Sequence, residues 1–500
     1  MYSFPNPDLR KLCDPLGLWW KKSVDGILQQ RVVGAFVGAL ALGLIAACGD
    51  GSGTTSTEAA GGPQGLPSEV REAGPMAGKN IVLVVVDTLR VDRLQIGGYH
   101  RETAPFLTSL AQQGVVFENA YSGSSWTAPA MASMFTSIYP DHHGVTTGLH
   151  FQLNDKAPES EADSIGLNRI PKVKETLPEV LKQAGYRTFA VADNPNICKE
   201  MGFTRGFDFF DGGSYRGAPV VTNKVDQWSK EIAQGEAPYF LYVHYMDPHK
   251  PYHKSGLPYE DELGSYAREL RIQSGLYDTE IRYVDRFFQR MFRGLNLDKN
   301  SLVIFVSDHG EQFGEHGGSG HGVKLHEELI RVPLMMVAFD ESGDPVFEHT
   351  KVRKTTSTID LLPTLRELLN LPSNEREEGV SLAPFLLGQA APEEGDGRSV
   401  FSHRSGVQMG RDVVLHSVVE GNLKLIDNGG EMAPRLVDLI EDPLELVDLS
   451  AERPEDYKRM LKIFEDHLSR PRSVQREFSG TLELSEEDLA ELGRLGYLDK

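Results

Sequence analysis

Cysteine is scarce in this chain of 500 residues: Cys13, Cys48 and Cys198 are its only thiols, too few for a disulfide framework. Basic residues are also in deficit. Lys and Arg total 51 against 72 Asp and Glu, and a net charge of −21 argues against nucleic-acid binding, which needs clustered Lys and Arg. An anionic substrate remains admissible where a local cation such as a metal receives it. The apolar stretch Val32–Ala47 falls short of the roughly 20 residues of a membrane span, and no internal repeat is visible. What is present is ordinary globular composition, 40% hydrophobic, in a length that allows one large α/β domain with a smaller appendage or two to three ordinary domains.

The N-terminal region differs from the rest. Lys21, Lys22 and Arg31 precede the charge-free stretch Val32–Ala47, as in a signal peptide. Its end, Ile45-Ala46-Ala47-Cys48, resembles the lipobox of bacterial lipoproteins, which implies lipidation of Cys48 and removal of residues 1–47. An uncleaved N-terminal anchor is the alternative. Both place the catalytic part outside the cytoplasm on a membrane of the bacterial cell envelope, and lipidation leaves Cys198 without a disulfide partner. Residues 48–79, rich in Gly, Ser, Thr and Pro, form a flexible linker in this reading.

Two apolar runs end abruptly in acid: Ile81-Val82-Leu83-Val84-Val85-Val86-Asp87 and Leu302-Val303-Ile304-Phe305-Val306-Ser307-Asp308-His309-Gly310. Continuous β-branched runs of this length indicate strands buried on both faces, and therefore a parallel sheet under helices. Ligands of such sheets bind at the carboxyl ends of the strands, where Asp87, Asp308 and His309 would converge. Two carboxylates and an imidazole brought together there need a cation to hold them.

Strands at Arg187–Asp193, Tyr239–His244 and Val332–Phe339 are predicted to alternate with helices at Ala104–Gly114, Thr176–Gly185, Gln273–Arg293 and Thr358–Leu371, the last with Pro363 in or near its first turn. The expected fold is α/β, with a large, mostly parallel central sheet covered by helices on both faces over residues 80–400. From about Asp412 the pattern changes: Val413–Val419 and Asn422–Ile426 read as a hairpin and Arg435–Leu439 as a further strand. This indicates a small C-terminal α+β subdomain over residues 401–500, ending in a helix at Leu484–Leu498.

Between the acidic strand ends lies Ser124-Ser125-Trp126-Thr127-Ala128-Pro129-Ala130-Met131. Pro129 suits the first turn of a helix, so Thr127 falls at its N-terminus, where unpaired N–H groups favour an oxyanion. A hydroxyl at that position is more often only a cap. The wider context alters the balance. The chain resembles the sulfatase family of the alkaline phosphatase superfamily, through Asp87 with Thr88-Leu89-Arg90, Tyr139-Pro140 to His143-Gly144-Val145, Gly185-Tyr186-Arg187-Thr188, His244 to Tyr252, Ser307 to Glu311, and Val437-Asp438-Leu439 with Glu441-Asp442-Pro443 and Glu445.

That resemblance implies a divalent metal held by Asp87, Thr127, Asp308 and His309; hard oxygen ligands and one imidazole suit Mn²⁺, Mg²⁺, Zn²⁺ or Ca²⁺. Typical relatives have a second Asp where this chain has Thr88, which disfavours Ca²⁺. They also have Cys or Ser in a C/S-x-P-x-R segment that is oxidised to formylglycine. Here Thr127 and Met131 stand at the Cys/Ser and Arg positions, and Thr cannot become formylglycine; Cys198 lacks the motif's Pro and Arg. The resemblance makes His249 and His321 catalytic and substrate-side histidines, with His249 able to protonate the leaving oxygen. His244 is either a further substrate contact or a packed histidine at a strand end. Asp247, His249 and His321 have the ligand types of a second metal, but their spacing departs from the two-metal pattern, so one metal is favoured.

The leading expectation is a hydrolase of phosphate esters, diesters in particular, acting through a covalent Thr127 intermediate. Sulfuric ester hydrolysis, phospho-headgroup transfer and a degenerate non-catalytic binding protein are the competing readings. An anionic ester is the expected substrate in the first two.

Overall fold

β1 (Asn80–Val86) is buried at every position after Asn80, as its β-branched composition demands. It runs between two parallel neighbours, β5 (Tyr239–Tyr245) and β6 (Ser301–Val306), with Val84 opposite Val243 on one side and Phe305 on the other. The computed structural model describes residues 73–149, 168–252, 268–392, 398–408, 411–427, 429 and 433–470. Cys48, residues 1–47, the terminal stretch Leu484–Leu498 and most of the predicted linker lie outside them.

The remaining strands of the main sheet are β2 (Val115–Tyr121), β3 (Arg187–Ala192), β4 (Phe209–Gly212), β9 (Arg331–Phe339), β10 (Thr350–Val352) and β11 (Thr356–Ser357). Their order is β10-β2-β9-β6-β1-β5-β3-β4, with β11 also on β2. Only β9 runs antiparallel to its neighbours, β2 and β6. A two-stranded ribbon, β7 (Gln312–Phe313) with β8 (Ser319–Gly320), follows β6.

Alternation along β1 divides the core in two. Ile81, Leu83 and Val85 pack with Met131, Phe135, Leu181 and Leu365, from the helices Thr127–Thr136, Leu177–Gln183 and Leu361–Leu368. Val82, Val84 and Val86 pack on the opposite face with Leu107, Val221 and Phe288, from the helices Pro105–Ala111, Ala218–Ala233 and Arg268–Gly294. Helices cover both faces, as the buried strand pattern requires.

The helix expected to reach Gly114 stops at Ala111. Gly114 instead meets β9 so closely that a Cβ would clash with the Met336 carbonyl oxygen. The helix expected from Thr358 begins as a 3-10 turn, Thr358–Asp360, and becomes α-helical at Leu361, with Pro363 in its first turn.

The C-terminal part is a four-stranded antiparallel sheet of β12 (Ser399–Gln408), β13 (Arg411–Glu420), β14 (Leu423–Asp427) and β15 (Arg435–Asp438). It packs with the helix Pro454–Leu468 through Val418, Leu425, Met460 and Phe464. Among the described residues no helix is long and apolar enough to cross a membrane.

Candidate active site

Because β1 and β6 are parallel neighbours, the residues that follow them emerge on one edge. Ligand atoms of Asp87, Asp308 and His309 lie within 4.8 Å of one another, and all three side chains are fully buried. Each carboxylate has one oxygen tied and one without a hydrogen bond. Asp87 Oδ2 accepts from Asn194 Nδ2 at 2.6 Å and from His244 Nε2 at 3.1 Å, while Asp308 Oδ1 accepts from the backbone N–H groups of His309 at 2.9 Å and Thr88 at 3.3 Å. Asp87 Oδ1 and Asp308 Oδ2 have no hydrogen-bond partner.

The imidazole completes the set. His309 Nδ1–H donates to the Gly310 carbonyl at 2.9 Å, which leaves Nε2 as the lone-pair nitrogen, 3.4 Å from Asp308 Oδ2 and 3.8 Å from Asp87 Oδ1. Among the described residues no Lys or Arg pairs with either carboxylate. Two unbonded carboxylate oxygens facing a neutral imidazole nitrogen fit a divalent cation by both charge and donor type.

The electrostatics agree. Burial and the charge of Asp87 push the Asp308 carboxyl well above its usual range. Burial also acts upward on Asp87, but its hydrogen bond from His244 and the nearby imidazoles of His309 and His249 outweigh that and hold it low. Burial, with His321 nearby, pushes His309 down to about 3, so it stays in the neutral form that binds metal.

Thr88, directly after Asp87, has φ of 55°, a costly conformation for a β-branched residue. Its surroundings hold it there: its N–H bonds to Asp308, and its carbonyl accepts from the Tyr277 hydroxyl at 2.7 Å. Thr88 therefore contributes its backbone N–H to the site.

Thr127 is the first residue of the helix Thr127–Thr136, preceded by the extended Trp126. Its hydroxyl is turned to the ligand group: Oγ1 lies 3.3 Å from Asp87 Oδ2, 3.3 Å from His309 Nε2 and 3.2 Å from Asn194 Nδ2. The expected neighbourhood of Asp87, Thr127, Asp308 and His309 is thus present. Cys198 is not a rival, since burial pushes its thiol up to about 12.

The histidines separate into two kinds. His244 is fully buried on β5, accepting from the Tyr242 hydroxyl at 2.6 Å through Nδ1 and donating to Asp87 through Nε2. With both nitrogens engaged behind the carboxylate, it is not the substrate contact considered from sequence; it positions Asp87. His249 and His321 lie together with ring centroids 4.8 Å apart, and His321 is 4.6 Å from the His309 ring. His321 Nδ1–H donates to the buried Glu311 at 3.2 Å; burial opposes its protonation, but Glu311 prevails and raises its pKa. His249 donates to the Lys250 carbonyl at 2.6 Å, and burial with the neighbouring His321 lowers its pKa.

The conceivable second metal is not supported by this geometry. Asp247 accepts from the N–H of Ala218 at 2.8 Å, capping the helix Ala218–Ala233, and does not join His249 and His321 in a three-ligand group.

Asn194, Glu311 and Tyr242 are site residues that the sequence did not single out. Asn194 had one usable signal, its position two residues beyond β3, at the same carboxyl edge. Glu311 had none beyond nearness to His309.

Comparison with known proteins places this geometry in a family. The chain is 23% identical to an uncharacterized sulfatase, YidJ, of Escherichia coli over 368 residues, covering 59% of this chain and 69% of that protein. Its fold matches a phosphonate monoester hydrolase of Agrobacterium radiobacter with a TM-score of 0.60 at 20% identity, covering 82% and 98% of the two chains. It also matches a putative sulfatase of Bacteroides thetaiotaomicron with a TM-score of 0.62 at 18% identity, covering 80% and 95%. The sulfatase family model matches residues 79–371, more than half of the chain, and the protein belongs to the sulfatase family of ester hydrolases.

Proposed function

We propose that this protein hydrolyses phosphate esters, with diesters as the main substrate class, through a covalent intermediate on Thr127. The observation that carries the reading is the position of Thr127 Oγ1, 3.3 Å from both Asp87 Oδ2 and His309 Nε2, in a residue that cannot be oxidised to formylglycine. A sulfated threonine would have to be released by a second difficult displacement, whereas a phosphorylated one is open to attack by water at phosphorus.

A single divalent cation held by Asp87, Asp308 and His309 would supply charge neutralisation at the non-bridging oxygens and acidify the neighbouring hydroxyl. Thr127 Oγ, its proton released to solvent, forms the new bond to phosphorus as the bond to the leaving alkoxide breaks. Asn194 Nδ2 holds Thr127 Oγ1 and Asp87 Oδ2 together, so the nucleophile is aimed before substrate arrives. We assign His321, backed by Glu311, as donor of the proton to the leaving oxygen, with His249 beside it as a substrate-binding group. In the second step water attacks phosphorus and gives a proton to His321, which regains its starting state, while the bond to Thr127 breaks and its oxygen takes a proton from solvent.

The test is a panel of p-nitrophenyl phosphate, phosphodiester, phosphonate and sulfate substrates, assayed with several divalent metals. The phosphodiester should be turned over best, and quenching with a slow phospho-substrate should leave a mass increment on the peptide containing Thr127. A preference for the sulfate would establish the sulfuric ester reading instead. A silent panel would favour a headgroup transferase. We further propose that Cys48 is lipidated and holds the enzyme on the outside of a membrane, motivated by Ile45-Ala46-Ala47-Cys48. Unchanged detergent partitioning and mobility in Cys48→Ser would exclude it.

A further inference from the structure

A second set of ligand-type side chains lies where the turn after the nucleophile helix meets the C-terminal helix. Asp141 and His142 belong to the short helix Pro140–His143, and His467 to the helix Pro454–Leu468. Ligand atoms of the three lie within 4.8 Å of one another, and all three side chains are at most 6% exposed. None has a part in the hydrolytic chemistry above.

The spacing suits a metal better than hydrogen bonding. His467 Nε2 is 3.4 Å and His142 Nε2 3.7 Å from Asp141 Oδ2. Charge-assisted hydrogen bonds are shorter, about 2.7–2.9 Å. Zinc–ligand bonds of about 2.0–2.1 Å, in contrast, give a tetrahedron with edges of roughly 3.3 Å. Asp141 Oδ1 is buried without a hydrogen-bond partner.

The surroundings are arranged as around a ligated imidazole. His142 turns Nδ1 to Glu378, whose other carboxylate oxygen accepts from the Tyr139 N–H at 2.7 Å. A carboxylate behind a histidine fixes its tautomer and directs the opposite nitrogen to a metal. The His467 ring is stacked on Phe401 with centroids 3.8 Å apart and meets Tyr139 edge-on at 5.2 Å, so its orientation is set by packing. His403 and His416 also bring ligand atoms to Asp141, on two strands of the C-terminal sheet.

We propose that Asp141, His142 and His467 bind a zinc-class divalent cation that clamps the C-terminal helix to the turn following the nucleophile helix. Its fourth ligand is water or a histidine of the His403–His416 pair. Its role is structural: it joins segments more than 300 residues apart in sequence.

Counting zinc by mass spectrometry on the full chain tests this. After zinc loading and removal of excess, the wild type should hold two equivalents and Asp308→Ala one. Adding His467→Gln to Asp308→Ala should remove the last equivalent, together with the rise in Tm that zinc gives Asp308→Ala. The proposal is overturned if Asp308→Ala holds no zinc, or if its remaining equivalent survives His467→Gln. Should the double variant fail to fold, Co²⁺ titration of folded Asp308→Ala decides: the visible absorption of a tetrahedral site supports the clamp, and its absence overturns it.

Discussion

Two buried charge clusters in this molecule are balanced in opposite ways. At the C-terminal sheet, Lys424 is fully buried between Glu327 at 2.9 Å and Glu445 at 2.8 Å, and Glu445 also accepts from the Glu327 N–H at 2.8 Å. The chain provides its own cation there. At the carboxyl edge of β1 and β6, Asp87 and Asp308 face each other with only imidazoles between them, and one oxygen of each is unbonded. The first cluster holds two parts of the fold together and is closed. The second leaves one oxygen of each carboxylate without a partner, which suits a cation from outside. A buried charge that the chain leaves unpaired is the better indicator of function.

Removing the hydroxyl of Thr127, the proposed nucleophile, should break the active-site half of this contrast most severely. Thr127→Ala should lower turnover by about three orders of magnitude or more while leaving the circular dichroism spectrum unchanged, and Thr127→Ser should retain part of it. Substantial activity in Thr127→Ala, with no phospho-adduct in the wild type, would mean that water attacks directly.

On the other side, Lys424→Met should cost about 3–5 kcal/mol in urea unfolding, because it leaves two glutamates buried without their cation. Adding Glu445→Gln should recover part of that loss. If Lys424→Met is no less stable than the wild type, the cluster is not balanced as described.

The same ion pair has a pH signature. Burial acts upward on Glu445, but Lys424 and His326 hold its pKa down, from the ordinary 4.5 to about 2. Its folded value is depressed, so its contribution is complete above pH 4.5 and is lost as the pH falls toward 2. The amount is on the order of 3 kcal/mol, and Glu445→Gln should flatten the dependence of the urea midpoint on pH in this window.

The smallest expected effect sharpens the comparison within the site. Asn194 bridges Asp87 and Thr127 without being a ligand, so Asn194→Ala should lower kcat/KM by about 10–100-fold. Metal content at saturating concentration should be unchanged, and loss of metal would show that Asn194 supports the ligands more than the nucleophile.

Local pattern in the chain was enough for several elements. The apolar runs ending in Asp87 and Asp308 are adjacent parallel strands, and Pro129 does lie in the first turn of the helix that Thr127 begins. The helix expected over Thr176–Gly185 forms at Leu177–Gln183. Other features were illegible because partners distant in sequence determine them. Val115–Tyr121 mixes apolar residues with Glu118 and Asn119 and becomes a strand through pairing with β9, which itself runs antiparallel in an otherwise parallel sheet. Asp247 looked like a ligand beside His249 but serves as a helix cap, and His244 is sandwiched between Tyr242 and Asp87.

The sequence alone determined the chemistry on offer: hard acidic ligands at two strand ends, a threonine that cannot become formylglycine, and histidines in the following loops. These follow from side-chain type and from apolar periodicity, which neighbours along the chain establish. Only the tertiary structure decided which carboxylate oxygens are tied and which are left without a partner, that Asn194 joins Thr127 to Asp87, and that Glu311 stands behind His321. Those outcomes depend on strand order and on contacts such as Asp87 with Asn194, 107 residues apart, which no local pattern encodes.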